Sequence, residues 1–333
     1  MYIFHALTLN ILGRYDHTRL PDQPHSKPVM APANKITDLF SVAGMVIVIT
    51  GGGSGLGLYA ARAFDANGAK AVYIVGRREE TLKQAAATGT NGSIKPIVGD
   101  VTNKESLTKV ADQIRSEQGY INLLFANAGV SGPKHNQLLP RHEDGSKPTV
   151  REFQKALFEP SMEDFTNAVH VNNTAVFYTA LAFLDLLDAG NKKRNVPQDS
   201  QILVTSSIAG FSRHLASSFA YNTSKAAVTH LVKMLSTYFS QAGYHIRANV
   251  IAPGLYPSEM TTVSMSKLDS FSGVEAFAGA HKMAPENSPA ERTGSEEDLA
   301  GTLIYMASRA GAYLNGETLI SDGGRLSQLP SVY

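Results

Sequence analysis

The chain has 333 residues, 43% of them hydrophobic and 18% charged, with a formal net charge of +1 at pH 7. This is an ordinary globular composition with apolar residues enough for a sizeable core, and a charge so near zero offers no pull on nucleic acid or acidic surfaces. There is no cysteine, which removes disulfides, thiol nucleophiles and cysteine-bound zinc and fits a reducing, cytoplasmic setting.

In chain order, residues 1–38 read as an irregular extension. Pro21, Pro24, Pro28 and Pro32 punctuate it. The apolar stretch from Tyr2 to Leu12 is short and has no basic region before it, so a secretory signal is not expected. No apolar run approaches the ~18 residues of a membrane span, and no membrane partner is expected.

From 39 to 333 strands and helices alternate. Short apolar runs predict strands near 45–50, 71–75, 94–98, 121–126, 201–206, 245–251 and 317–321. Helices are predicted near 56–67, 79–87, 104–118, 162–188, 220–241 and 296–308. Ser131 to Pro160 and Ala189 to Ser200 read as loops, the second with Lys192-Lys193-Arg194 at a solvated tip. Alternating βα units with continuous apolar strands imply an α/β fold, a Rossmann-type doubly wound parallel sheet in a single domain.

Between the first strand and first helix lies Thr50-Gly51-Gly52-Gly53-Ser54-Gly55-Leu56-Gly57. Glycines let a backbone approach a pyrophosphate, and a helix N-terminus favours its charge. The spacing Gly51-x-x-x-Gly55-x-Gly57 is neither G-x-G-x-x-G nor a P-loop. A plain glycine-rich turn is the competing reading.

Sheets of this type that take NAD often carry an acid about 20 residues beyond the glycine loop, bonded to the ribose 2′-OH. Here the second strand runs into Gly76-Arg77-Arg78. Guanidinium groups suit a 2′-phosphate, so NADP(H) is expected over NAD(H), with Arg77 as the ligand. Two arginines merely opening the next helix are the alternative. Asp100, in Gly99-Asp100-Val101, could also serve the turn that starts the next helix.

Tyr221-Asn222-Thr223-Ser224-Lys225 puts a phenol and an amine four residues apart at the start of a long helical run, hence on one face. It lies downstream of a strand ending in Ser206-Ser207. With Thr50-Gly51-x-x-x-Gly55-Leu56-Gly57, Asp100, Asn127-Ala128-Gly129, Val171-Asn172, Ser207, Pro253-Gly254 and Asp322-Gly323-Gly324 in the same order, the chain resembles the short-chain dehydrogenase/reductase family from about residue 40 to 326. Pro253 to Met260 is similar to a subset of fungal reductases and to bacterial 3-oxoacyl reductases of rhamnolipid synthesis.

The resemblance implies a cofactor site of Gly51, Ser54, Gly55, Leu56, Gly57, Arg77, Asp100, Val101, Asn127, Tyr221, Lys225, Pro253, Tyr256 and Ser258. Asp100 would meet the adenine, Asn127 the cofactor floor, and Ser258 the nicotinamide carboxamide. It implies catalysis by Asn172, Ser207, Tyr221 and Lys225. Tyr221 would be the proton donor, its pKa of ~10 lowered by Lys225. Lys225 would also bind the ribose, Ser207 the substrate carbonyl, and Asn172 a water. Ser207 stands fourteen residues before Tyr221 where thirteen is usual, which one extra residue in the Ser212–Ser218 loop would explain, with Ser206 as a structural neighbour. Thr261 to Pro289 would be a mobile lid carrying Met260, Met265, Phe271, Phe277 and Met283 near an apolar substrate.

The expected activity is NADPH-dependent reduction of a ketone, a 3-oxoacyl thioester or a secondary-metabolite intermediate. A homotetramer or homodimer is implied, with the Tyr221 helix at an interface. The alternatives are a non-catalytic NADP-binding regulator or scaffold, an NAD-dependent alcohol dehydrogenase, and an epimerase or dehydratase on the same fold. No metal site is expected: H-E-x-x-H is absent and the ten histidines are scattered.

Overall fold

A computed structural model describes residues 34–133, 141–271 and 277–332. The chain divides into two compact units, Met1–Lys35 and Ile36–Tyr333, and only the second is described below. Most of the expected irregular extension therefore lies outside the described residues. At its end a helical turn, α1 (Ile36–Leu39), replaces the irregular chain expected there.

The strands are β1 (Val46–Thr50), β2 (Ala71–Gly76), β3 (Ile94–Val98), β4 (Leu123–Ala126), β5 (Gln201–Thr205), β6 (Arg247–Pro253) and β7 (Thr318–Ser321). They form one sheet in the order β3-β2-β1-β4-β5-β6-β7, with every pairing parallel. β1, β4, β5 and β6 are buried along their whole length. Burial on both faces is why they read as continuous apolar runs rather than alternating ones.

The helices are α2 (Gly55–Ala66), α3 (Glu79–Ala87), α4 (Lys104–Glu117), α5 (Val150–Phe158), α6 (Met162–Val169), α7 (Ala175–Ala182), α8 (Leu184–Lys193), α9 (Phe219–Gln241), α10 (Thr262–Met265) and α11 (Glu296–Ala307). On one face of the sheet, Leu107, Ile114, Val176, Leu187, Val228 and Phe239 pack against Val46 and Val48. On the other, Phe64, Leu82, Leu299 and Met306 pack against Ile47 and Ile49. The strand order reverses between β1 and β4. Crossovers leave opposite ways there and open a crevice at the carboxyl ends of the strands.

Three expectations need correction. The helix expected over 162–188 is interrupted by a π-turn, His170–Thr174, and broken again at Phe183, whose backbone (φ −108°, ψ 4°) leaves the helical region. The loop expected over Ser131 to Pro160 contains α5, started by a reciprocal cap between Thr149 and Glu152. The loop expected from Ala189 begins later. Lys192 and Lys193 lie in the last turn of α8, where positive charge suits the helix dipole, and Arg194 caps it at φ 54°.

Candidate active site

The crevice at the switch point is a cleft of about 680 Å³. Its floor and walls include Gly51, Ser54, Gly55, Leu56, Arg77, Asp100, Val101, Asn127, Ser207, Tyr221, Lys225, Pro253, Tyr256 and Ser258. Fourteen of the expected site residues thus meet around one space. Gly57 and Asn172 do not line it.

At the glycine loop, Gly51 takes φ +65°, and a Cβ there would come within 2.9 Å of the Ala128 backbone. Gly55 takes φ +52° and faces Ser258, whose Cβ would lie 2.9 Å from an added one. Gly57 packs α2 onto the loop: a Cβ would meet the Gly51 carbonyl at 2.2 Å. Its place is structural. Ser54 is the N-cap residue of α2, yet its side chain makes no capping bond. The first-turn N–H groups therefore have no side-chain acceptor at the cap, which leaves them to an anion in the cleft. Glycines that hold off side chains above uncapped amides fit a pyrophosphate.

Asn127 stitches the strand ends. Its amide donates to the carbonyls of Thr50 and Gly51, and its oxygen accepts from Thr205. Arg77 is exposed and among the described residues makes no hydrogen bond or ion pair, though its charge is felt at Asp100. Arg78 pairs with Glu259 at 2.7 Å. Asp100 accepts from the Thr102 amide and hydroxyl. The amide bond, with the hydroxyl, Arg77 and His170 adding to it, holds the carboxyl below its usual range. Asp100 thus builds the turn before α4 while also lining the cleft.

Two residues beyond β5, Ser207 caps the start of a 3₁₀ turn, Ile208–Gly210. Gly210 lets that turn press on α9, since a Cβ would lie 2.8 Å from the Lys225 carbonyl carbon. Sequence reasoning passed over this glycine. Ser218 caps α9, accepting from the Tyr221 amide, so the helix begins just where the phenol must project. Ser207 and Tyr221 line the same cleft, the serine hydroxyl near enough to pull the phenol's pKa down against burial, so the longer Ser–Tyr spacing is absorbed in the intervening loop. Ser206 instead turns away to the Lys225 carbonyl and Thr229.

Lys225 is 4% exposed. Its ammonium donates to the Thr205 carbonyl at 2.8 Å and lies 5.7 Å from the centre of the Tyr221 ring. Burial brings its pKa down to about 8. Burial likewise raises the pKa of the Tyr221 phenol, opposed by the Ser207 hydroxyl.

Asn172 sits in the π-turn, 1% exposed. Its oxygen accepts from the Val130 amide, and its nitrogen donates to the Val130 carbonyl and to Ser224. This clasp ties the chain after β4 to α9 and uses both N–H donors of the side chain. Tyr256 points its hydroxyl away to Ser321, its ring lying against Gly294. It faces the cleft with the rest of the residue. Ser258 bonds Thr261 by both backbone amide and hydroxyl. Of the five apolar residues expected over the substrate, Met260 lines the cleft. Met265 is buried, and Phe277 stacks on Arg292 at 3.8 Å.

The family model described as short chain dehydrogenase matches residues 45–269. The short-chain dehydrogenase/reductase PhomF of Diaporthe leptostromiformis is 44% identical over 91% of this chain and 99% of its own. The rhamnolipids biosynthesis 3-oxoacyl-[acyl-carrier-protein] reductase of Pseudomonas aeruginosa is 27% identical over 86% of this chain and 97% of its own. The L-sorbose reductase of Gluconobacter frateurii, solved with NADPH and L-sorbose, superimposes with a TM-score of 0.66 at 25% identity, covering 86% of this chain and 98% of that one.

Proposed function

The chain belongs to the short-chain dehydrogenase family, and from that premise we propose that it reduces a ketone with NADPH, with Tyr221 as proton donor. The observation that carries this reading is the meeting of Ser207, Tyr221 and the buried Lys225 ammonium in one cleft, the ammonium 5.7 Å from the phenol ring's centre. When bound, NADPH supplies the hydride.

The remaining work falls to the side chains. The Ser207 and Tyr221 hydroxyls converge on one point, where a carbonyl oxygen accepts from both. As that oxygen gains charge, the phenol O–H bond breaks and its proton passes to the oxygen, giving the alcohol. The phenolate left behind is stabilised by the Lys225 ammonium. Arg77, free of other hydrogen-bonding partners among the described residues, holds the 2′-phosphate by forked hydrogen bonds. Gly51, Gly55 and the uncapped start of α2 hold the pyrophosphate.

We place the substrate among 3-oxoacyl thioesters and ketone intermediates of secondary metabolism. The similarity to a 3-oxoacyl reductase supports this, as does Met260 at the cleft wall. We also expect a homodimer or homotetramer through α9, on which Met234 and Tyr238 are 57% and 68% exposed.

The test is a screen of ketones and 3-oxoacyl thioesters for NADPH consumption by the purified protein and by Tyr221→Phe. The variant should lose about 10²-fold or more of the turnover while binding NADPH with unchanged affinity. Full turnover by Tyr221→Phe would contradict the proton-donor role. NADPH binding by the wild type without turnover of any substrate would favour the non-catalytic alternative.

A further inference from the structure

Arg78 and Glu259 face each other across the mouth of the cleft. Arg78 is the N-cap residue of α3, at the end of β2. Glu259 opens the 3₁₀ turn that follows Ser258. Their side chains meet at 2.7 Å, 62% and 58% exposed, and both residues line the cleft. Arg78 chiefly holds the Glu259 carboxyl below its usual range, and the Ser54 hydroxyl stands near enough to help. One ion pair therefore ties together two walls of the cleft, the end of β2 and the loop after β6, beside the glycine loop.

We propose that Glu259 is a latch that holds Arg78 in place of the cofactor's 2′-phosphate, so that the phosphate must displace the carboxylate to gain its second guanidinium. This rests on the NADPH reading above. Arg77 and Arg78 are adjacent at the same strand end, but Arg78 is engaged and Arg77 is not. A phosphate carries up to two negative charges and three acceptor oxygens against one charge on the carboxylate. It therefore competes well for a guanidinium held by an exposed pair, which is itself weak. NADH has no group to contest Arg78, so the latch stays shut over it. Glu259 thus lowers affinity for NADPH selectively, and it releases Arg78 only when the phosphorylated cofactor enters.

The test is direct titration of the full-length protein with NADPH, NADH and adenosine 2′,5′-bisphosphate, for wild type, Glu259→Gln, Arg78→Gln and the double variant. Gln at 259 keeps the size of the side chain but no longer holds a guanidinium by charge. Glu259→Gln should tighten NADPH and adenosine 2′,5′-bisphosphate by about 3-fold or more, leave NADH nearly unchanged, and have no such effect in the Arg78→Gln background. An unchanged or weakened NADPH affinity in Glu259→Gln would overturn the latch. Equal tightening of NADH, or tightening that persists without Arg78, would overturn it as well by showing a general loss of negative charge. The NADPH-to-NADH ratio of the wild type judges the cofactor reading separately, and the bisphosphate titration still decides the latch if that reading fails.

Discussion

Lys225 carries the clearest electrostatic cost in the molecule. Its ammonium is buried and held by a single protein carbonyl, and its pKa falls from 10.5 to about 8. Below about pH 8 both folded and unfolded chains hold the proton, and the fold bears the full cost of burying it. Between about 8 and 10.5 the unfolded chain binds more protons, so this contribution makes stability rise with pH through that window. Lys225→Met should therefore raise stability at pH 7, by up to about 2–3 kcal/mol, while abolishing turnover. Thermal unfolding at pH 7 and pH 10 checks this: the gain should shrink at the higher pH, and a loss of stability at pH 7 would contradict the burial argument. Tyr221 is shifted the opposite way, which keeps the phenol protonated at neutral pH. Ketone reduction should accordingly hold steady through neutrality and fall only on the alkaline side.

Among the elements, the β-strands, the glycine turn and the start of α9 were legible because their signals are local. Buried strands announce themselves as apolar β-branched runs, and Tyr221 and Lys225 share a helical face by spacing alone. The π-turn was not legible. It accompanies Asn172 clasping Val130, 42 residues away in the chain, and no local pattern encodes that contact. Helix α5 was missed because Pro, Gly and charge surround it, although its Thr149-x-x-Glu152 cap is a readable start signal. Gly57 and Asn172 both hold the frame of the site. Asn172→Ala would strand the Val130 amide and carbonyl, costing about 2–4 kcal/mol as buried polar groups lose their partners. Denaturant unfolding should show the loss, and a midpoint within error of the wild type would contradict the clasp. Gly57→Ala sets a methyl 2.2 Å from a backbone oxygen and should distort the glycine loop enough to weaken cofactor binding.

For the whole molecule, the strand order decides where chemistry can happen. Reversal between β1 and β4 opens a crevice, and the loops leaving the carboxyl ends of β1 to β6 add to it: the glycine turn, Arg77-Arg78, Asp100, Asn127, Ser207 and the segment from Pro253 to Thr261. Sequence order alone placed these motifs in separate strands, while the parallel sheet brings them together. No helix among the described residues is long and apolar enough to cross a membrane. What the fold leaves to individual residues is which cofactor is preferred, and Arg77 is where that preference is tested. The most direct measurement follows nicotinamide fluorescence as the protein is titrated with NADPH and with NADH, in a chain whose lack of tryptophan leaves the signal clear. The account predicts NADPH binding tighter by about tenfold or more, with the advantage lost in Arg77→Asp. Equal or tighter binding of NADH by the wild type, or a preference that survives Arg77→Asp, would contradict it.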